Sequence, residues 1–465
     1  MKALKSSSFL FVFVFLIFTN TLFSKDSMLE NDSSTAQNLG EHLKQGRFSF
    51  HHRTFYMQTI NKGLLMDYST LATGAGIGYF SPSWKGFHVG FSGFFVFQLF
   101  QQNIYKPDPI TSNVNRYEIV LYDMNDTENR RDLDRLEELY VSYEHRKSRL
   151  VYGRHKFQSP LLNEQDNRMR PNIFNGIQFH HKAKNWQAHA AWLNAVTIRG
   201  TVDWYSISSS YGVYPFGRNP QGTPSDYKGN IKSAGIGVTG FSYDNHVWKM
   251  QVWNYFNENV FNLSFVQMEK KWNKGPLKWE IGGQGLFQTA LNHGGNPNPE
   301  KTYIQPSEQS VAYGAKIQVN SKKNTFSLNY FGIASNVRFL FPREWGREQF
   351  FASLPRERFE GNGNLNAYTL KWKSTPFSPQ LSAQFGASVV QVANIDNAAF
   401  NKYGLPSYYH FSADFAYAFK GYLTGFNIRL LTVFKPSQNP AAVPDVYRIN
   451  RVDLWNLNLV LNYDF

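Results

Sequence analysis

The chain of 465 residues contains no cysteine, which excludes a disulfide scaffold, a thiol nucleophile and a cysteine-rich zinc site. Beyond the first 24 residues no stretch is long and apolar enough for a transmembrane helix. The GxSxG and HExxH patterns are missing too, so the chain carries neither a serine-hydrolase elbow nor a zinc-protease helix. Adjacent histidines, His51–His52 and His180–His181, lie in strand-like stretches, where neighbouring side chains point to opposite faces and cannot share a metal. An enzyme is therefore not expected, and no catalytic residue, metal or cofactor is assigned. Lysines and arginines are dispersed instead of clustered, which speaks against nucleic acid as a partner.

What the chain does have is aromatic rings. It carries 41 Phe, 26 Tyr and 11 Trp, yet its mean hydropathy is −0.43. A membrane barrel needs this combination, because each strand offers an apolar side to lipid and a polar side to the lumen. The opening MKALKSSSFLFVFVFLIFTNTLFS places two lysines before an apolar run from Phe9 to Phe18, with Ser24 as a cleavage point. Residues 1–24 thus read as a signal peptide, since the run is short for a retained anchor. Residues 25–46 read as a short polar mature N-terminus and 47–465 as a single domain. Loss of Lys2 and Lys5 lowers the formal charge from +14 to +12, an excess suited to lipopolysaccharide or acidic solutes.

From Arg47 onward, segments of about ten residues alternate apolar and polar positions between turn signals. Strands are expected near 47–58, 70–80, 86–98, 136–146, 148–156, 174–183, 185–195, 232–242 and 246–256, then near 260–271, 277–289, 310–319, 325–334, 364–374, 380–392, 407–419, 423–434 and 453–465. Every second connection is tight, as at Arg146, Lys184 and Lys420, while the others are mostly long, as from Leu99 to Arg135 and from Ser335 to Gly363. The connection at Asn257 breaks this parity. The fold class is all-β: a transmembrane antiparallel β-barrel of about 18 strands, with short periplasmic turns and long extracellular loops. Closure removes the edges that so many strands would otherwise expose.

Alternation also assigns the lumen wall. Lys249, Lys316, Lys371, Lys373 and Arg429 oppose apolar neighbours and so point inward, because a charge facing lipid near the midplane costs about 2–4 kcal/mol. Such cations can carry an anion through successive weak positions, or can simply pair with acids such as Asp414. One stretch stands apart from the strands: GRHKFQSPLLNEQDNRMRPN, Gly153 to Asn172, with Arg154, His155, Lys156, Arg168 and Arg170 near Glu164 and Asp166. In isolation it matches a solvated loop equally well.

Two motifs connect this stretch to a known family. YGRHKFQSPLLNEQDNRMRPNIFNG (Tyr152–Gly176) resembles the segment of OprD-type outer-membrane porins that leads into an inward-folded third loop. FPREWGREQFFASLPRERFEGNGNLNAYTLKW (Phe341–Trp372) looks like that family's Pro-x-Glu-Trp-Gly-Arg-Glu segment in a late external loop, and Gly46–Met57 is similar to its opening strand, with Arg53 at a family arginine. The resemblance implies an eighteen-stranded, substrate-selective channel in the outer membrane of a Gram-negative bacterium. It implies small anionic or zwitterionic solutes, carboxylates or amino acids among them, crossing a constricted basic pore. The matching positions Asn163, Pro171, Gly176, Pro342, Trp345, Gly346 and Glu360 go with it. The expected constriction comprises Arg154, Asp166, Arg168, Arg170, Arg343, Glu344, Arg347, Glu348, Arg356 and Arg358, with bracing as the alternative role for Glu344, Trp345 and Glu348. Further partners implied are outer-membrane lipids and the barrel assembly machinery, through the last strand ending in Phe465; monomer and trimer both stay open. Uptake of neutral or amino-sugar oligosaccharides, in the manner of a chitoporin, is the second reading, with Trp204, Tyr205 and Tyr211 as stacking rings. A blocked barrel used for adhesion is the third. The segment before Arg47 is too short for a plug domain, which disfavours energised siderophore transport.

Overall fold

A computed structural model of the protein describes residues 39–334 and 337–465; the expected signal peptide and residues 25–38 lie outside the described residues. A six-residue helix, α1 (Leu39–Lys44), forms a unit separate from the barrel. The first half of the barrel comprises β1 (Arg47–Asn61), β2 (Tyr68–Phe80), β3 (Phe87–Gln102), β4 (Arg135–His145), β5 (Ser148–His155), β6 (Ile173–Lys182), β7 (Trp186–Thr197), β8 (Trp204–Ser206), β9 (Ile236–Asp244) and β10 (Trp248–Asn257). The second comprises β11 (Phe261–Lys274), β12 (Leu277–Ala290), β13 (Gln309–Asn320), β14 (Asn324–Ile333), β15 (Leu365–Ser374), β16 (Leu381–Gln391), β17 (Tyr408–Ala418), β18 (Phe426–Phe434) and β19 (Leu454–Asp464). Every neighbouring pair is antiparallel, and β7 pairs directly with β9, so eighteen strands make the ring and β8 is an extra rung on the end of β7. The ring closes where β1 pairs with β19, from His51↔Asp464 to Asn61↔Leu454.

The eighteen ring strands overlap the eighteen expected segments, because a wall with lipid outside and water inside enforces period-two alternation on every strand. In β19, Asn456 and Asn458 are each 1% exposed while Trp455 and Leu459 are 45% and 44% exposed. Asn458 donates to the Leu431 carbonyl and to Asn456, so the inward amides satisfy one another. Exposed rings stack across strands on the outer face, as in Phe326–Trp372–Phe385 and Phe434–Trp455, which suits interfacial girdles.

Turns of two to seven residues occupy one rim, and the other carries nine connections, seven of them 16 residues or longer. The short connection after Asn257 sits on the long rim because other loops cover it: Asn257 donates to the Gly235 carbonyl and accepts from the Tyr211 hydroxyl at 2.6 Å. The aromatic core lies at this end, inside the ring. Phe261, Phe341, Trp345, Phe350 and Phe359 are all buried there, with Phe331 and Phe350 stacked at 4.0 Å. Burying rings of this size is the main source of stability available to loops that have left the sheet.

Candidate functional site

The third connection (156–172) and the seventh (334–364) meet in the lumen. Asn163 joins them: its backbone N–H donates to the Trp345 carbonyl, its amide donates to the Arg347 carbonyl, and its Oδ1 accepts from the Arg347 N–H. Gly346 is required between those two residues, since a Cβ there would stand 2.4 Å from the Leu161 carbonyl oxygen. Arg53 on β1 holds the far side of the third loop, with both Nη atoms on Asp166 at 2.6 and 3.1 Å and Nε on Asn462 at 2.7 Å. Gly74 on β2 has no room for a Cβ, which would stand 2.5 Å from the Phe95 carbonyl oxygen, 2.6 Å from the Phe94 ring and 3.1 Å from the Met169 methyl of the third loop.

The seventh loop is anchored at two points. In the fourth connection, Ser206 caps α2 (Ile207–Ser210) by accepting from the Ser209 N–H, which presents Ser210 to the Trp345 indole N–H at 2.8 Å. Trp345 is fully buried, edge-on to Tyr211 and Phe341. Glu344 accepts from the Tyr214 N–H, and burial pushes its carboxyl up. At the second anchor, Glu357 accepts from Tyr408 and from His410, with the Lys435 ammonium 3.8 Å away. Burial alone would raise the Glu357 carboxyl, but His410, Lys435 and the Tyr408 hydroxyl outweigh it and hold it near 2.

Two cavities flank the meeting point. The one towards the long-loop rim, about 120 Å³, has nine cations on its border and one carboxylate, Glu357. The other, about 590 Å³, is bordered by both signs, with Arg53, Arg356 and Arg429 among the cations and Glu164, Asp166 and Glu348 as the acids. Gln165, Asn167, Arg168, Arg347 and Arg356 border both, so the passage between them runs past these side chains. Arg168 is 3% exposed and donates to the Asn167 carbonyl. Arg356 donates to Asn456 and Asn458 on β19, and Arg347 to the Leu354 carbonyl. Arg358 donates to Gln165 at 2.8 Å and lies 3.8 Å from Glu348. Arg343 pairs with Glu360 and lies over the Tyr403 ring at 3.7 Å.

Three of the expected constriction residues lie elsewhere. Arg154 is still within β5, where Val151 and His155 point inward, so alternation sends it out with Tyr152, and it lies 4.4 Å over the Trp204 ring. Arg170 is fully buried, donating to the carbonyls of Leu133 and Tyr122, which ties the third loop to the second. Glu344 borders only a small cleft behind the seventh loop. On the wall, Lys316 lies between Glu269 and Glu280, Lys371 donates to the carbonyls of Phe351 and Ser353, and Arg429 pairs with Asp414, while Lys249 and Lys373 are exposed. Sequence reasoning missed Arg116, Arg199, Lys435 and Arg451, which border the smaller cavity from the second, fourth and ninth connections. No motif surrounds them, and only the folded loops bring them together.

A closed eighteen-stranded barrel with loops narrowing a charged lumen defines a β-barrel channel of the outer-membrane type. The sequence profile described as "outer membrane porin, OprD family" matches residues 47–370, and the chain belongs to this family. OprD-family porins are channels of the Gram-negative outer membrane and are not enzymes. Solved structures agree in fold. Pseudomonas aeruginosa OpdK, crystallised with vanillate, shares 15% identity over 91% of this chain and 99% of its own, with a TM-score of 0.70. Pseudomonas aeruginosa OccK9 (OpdG) shares 13% over 91% and 99%, with a TM-score of 0.70. Acinetobacter baumannii OccAB4 shares 15% over 90% and 98%, with a TM-score of 0.68. No curated protein matches the sequence.

Proposed function

We propose that this porin conducts small carboxylates or amino acids by passive diffusion, with selection at the neck between the third and seventh loops. The observation that carries the reading is the border of the smaller cavity, where nine cations face one carboxylate. Arg168, Arg347 and Arg356 are assigned the constriction, since they border both cavities, and Asp166, Arg343, Glu348 and Arg358 hold its sides. The larger cavity, with acids opposite cations, suits a zwitterion in transit. Guanidinium groups recognise carboxylates through paired N–H donors, and several shallow positions favour flux over retention.

The oligosaccharide reading has less support. Tyr211 is buried against Tyr303 and Trp345, Trp204 carries the Arg154 guanidinium over its ring, and Tyr205 is half-buried against the aromatic core, so the three rings do not form an open stacking track. The test is the zero-current potential of the purified protein in planar bilayers under a KCl gradient. Anion preference with small conductance is expected, and strong cation selectivity would overturn the reading. Liposome swelling that is faster in sugars than in carboxylates would transfer support to oligosaccharides.

A further inference from the structure

The neck holds more positive charge than one monovalent anion can use. Of its nine cations, Arg343, Arg358 and Lys435 have a carboxylate within 4 Å: Glu360, Glu348 and Glu357 respectively. The other six, Arg116, Arg168, Arg199, Arg347, Arg356 and Arg451, have no such ion pair among the described residues. Their guanidinium bonds end on neutral oxygens: backbone carbonyls for Arg347 and Arg451, asparagine amides for Arg356 and Arg199. Arg116 lies over the Phe216 ring at 4.9 Å. The Nε atoms of Arg168, Arg347 and Arg451 are buried without a hydrogen-bond partner.

Packing these groups together is unfavourable, and the titration behaviour reflects it. Burial followed by the nearest guanidinium lowers Arg116 beside Arg343, Arg347 beside Arg358 (to about 10) and Arg451 beside Arg116 (to about 9). All remain protonated at neutral pH, so their mutual repulsion persists and is relieved by an anion. A monoanion neutralises one guanidinium. Each further charge on the same solute relieves more.

We propose that the neck discriminates in favour of small solutes bearing two or more negative charges on carboxylate or phosphate oxygens, over monoanions of similar size. This rests on the anion-preferring pore proposed above. Both oxyacid groups fit the forked guanidinium donor.

The test uses the full protein in planar bilayers in KCl at neutral pH and constant ionic strength, with acetate, benzoate, succinate, citrate or pyrophosphate added. Succinate, citrate or pyrophosphate should depress the chloride current at concentrations about tenfold below those needed for acetate or benzoate, the ratio expected when one more charge-assisted hydrogen bond is made. An advantage limited to succinate and citrate assigns the solute to carboxylates, and one limited to pyrophosphate assigns it to phosphates. Arg199→Gln and Arg116→Gln should each shrink the ratio to about threefold, and Arg199→Lys should restore part of it. Equal effective concentrations for mono- and polyanions, in a channel whose zero-current potential still shows anion preference, would overturn this inference and leave the pore reading standing. A cation-selective potential would overturn both.

Discussion

The wall of the lumen and its neck both carry cations, but they treat them differently. On the wall, Lys316 has Glu269 and Glu280, Arg429 has Asp414, and Lys371 has two loop carbonyls. At the neck, six arginines contributed by the second, third, fourth, seventh and ninth connections face no carboxylate of their own. Rigid neighbouring strands can set an acid beside a base at bonding distance, and so Lys316 and Arg429 are neutralised by the protein. The neck is assembled from loops and keeps its charge for something that is not protein. On the proposed reading, selectivity therefore sits at the neck instead of on the row of inward lysines along the strands.

The comparison breaks first if the one carboxylate on the border of the smaller cavity is removed. Glu357 sits between Tyr408, His410 and Lys435, fully buried, and pins the seventh loop to the wall. Glu357→Gln should destabilise that anchor by about 3–5 kcal/mol, because it leaves the Lys435 charge buried without its partner. The expected result is a lower temperature for the heat-induced mobility shift on gels and a noisier open current. The native carboxyl is held near 2 against an ordinary value of 4.5, so its contribution is complete above about pH 4.5 and lost as pH falls towards 2. Loop closures in single-channel records should thus appear across that window in the native protein. In the Gln variant they should be present at neutral pH already and change little on acidification.

Next in size are the arginines shared by both cavities. Arg168→Gln or Arg347→Gln should lower the anion-to-cation permeability ratio about fivefold each, as loss of about 1 kcal/mol of Coulomb attraction in a partly screened lumen implies. Arg170→Gln separates charge from architecture. Two residues from Arg168 but fully buried on the carbonyls of Leu133 and Tyr122, it should reduce thermal stability by about 1–3 kcal/mol while leaving the permeability ratio near that of the parent. If Arg170→Gln shifts the ratio as strongly as Arg168→Gln, the neck extends deeper into the third loop than the cavity borders indicate.

These two arginines mark the limit of what the sequence can reveal. Strand positions were legible because lipid on one side and water on the other force alternation that needs no partner to be recognised. The same rule placed Lys316 and Arg429 inward and offered Asp414 as a pairing acid, but was silent on Glu269 and Glu280 as counter-charges of Lys316, which depend on register across strands. Motifs identified the two loops that meet. They could not separate Arg168, which borders both cavities, from Arg170, which serves the fold, since the difference is one of side-chain direction in an irregular segment. Arg154 differs for a simpler reason: it lies inside the expected strand 148–156, where alternation, and not the motif, decides its direction, and β5 runs to His155. Arg116, Arg199 and Arg451 carry no local signal at all, because their meeting is a property of loop packing.

The smallest expected effect tests the comparison from the wall side. Lys249 and Lys373 point into the lumen, are exposed, and have no ion pair among the described residues, so they are the wall cations with the most freedom to act on a passing anion. They also stand near the tight-turn ends of β10 and β15, exposed, where charges are screened over a Debye length of about 8 Å at physiological salt. Lys249→Gln and Lys373→Gln should each change the permeability ratio by less than about twofold at that ionic strength, since exposed charges contribute 0 to about 1 kcal/mol. Their influence should grow when salt is lowered tenfold, while that of Arg168 and Arg347, shielded within the loops, should move less. A lysine variant that matched Arg347→Gln at physiological salt would return selectivity to the strands and make the neck a steric filter alone.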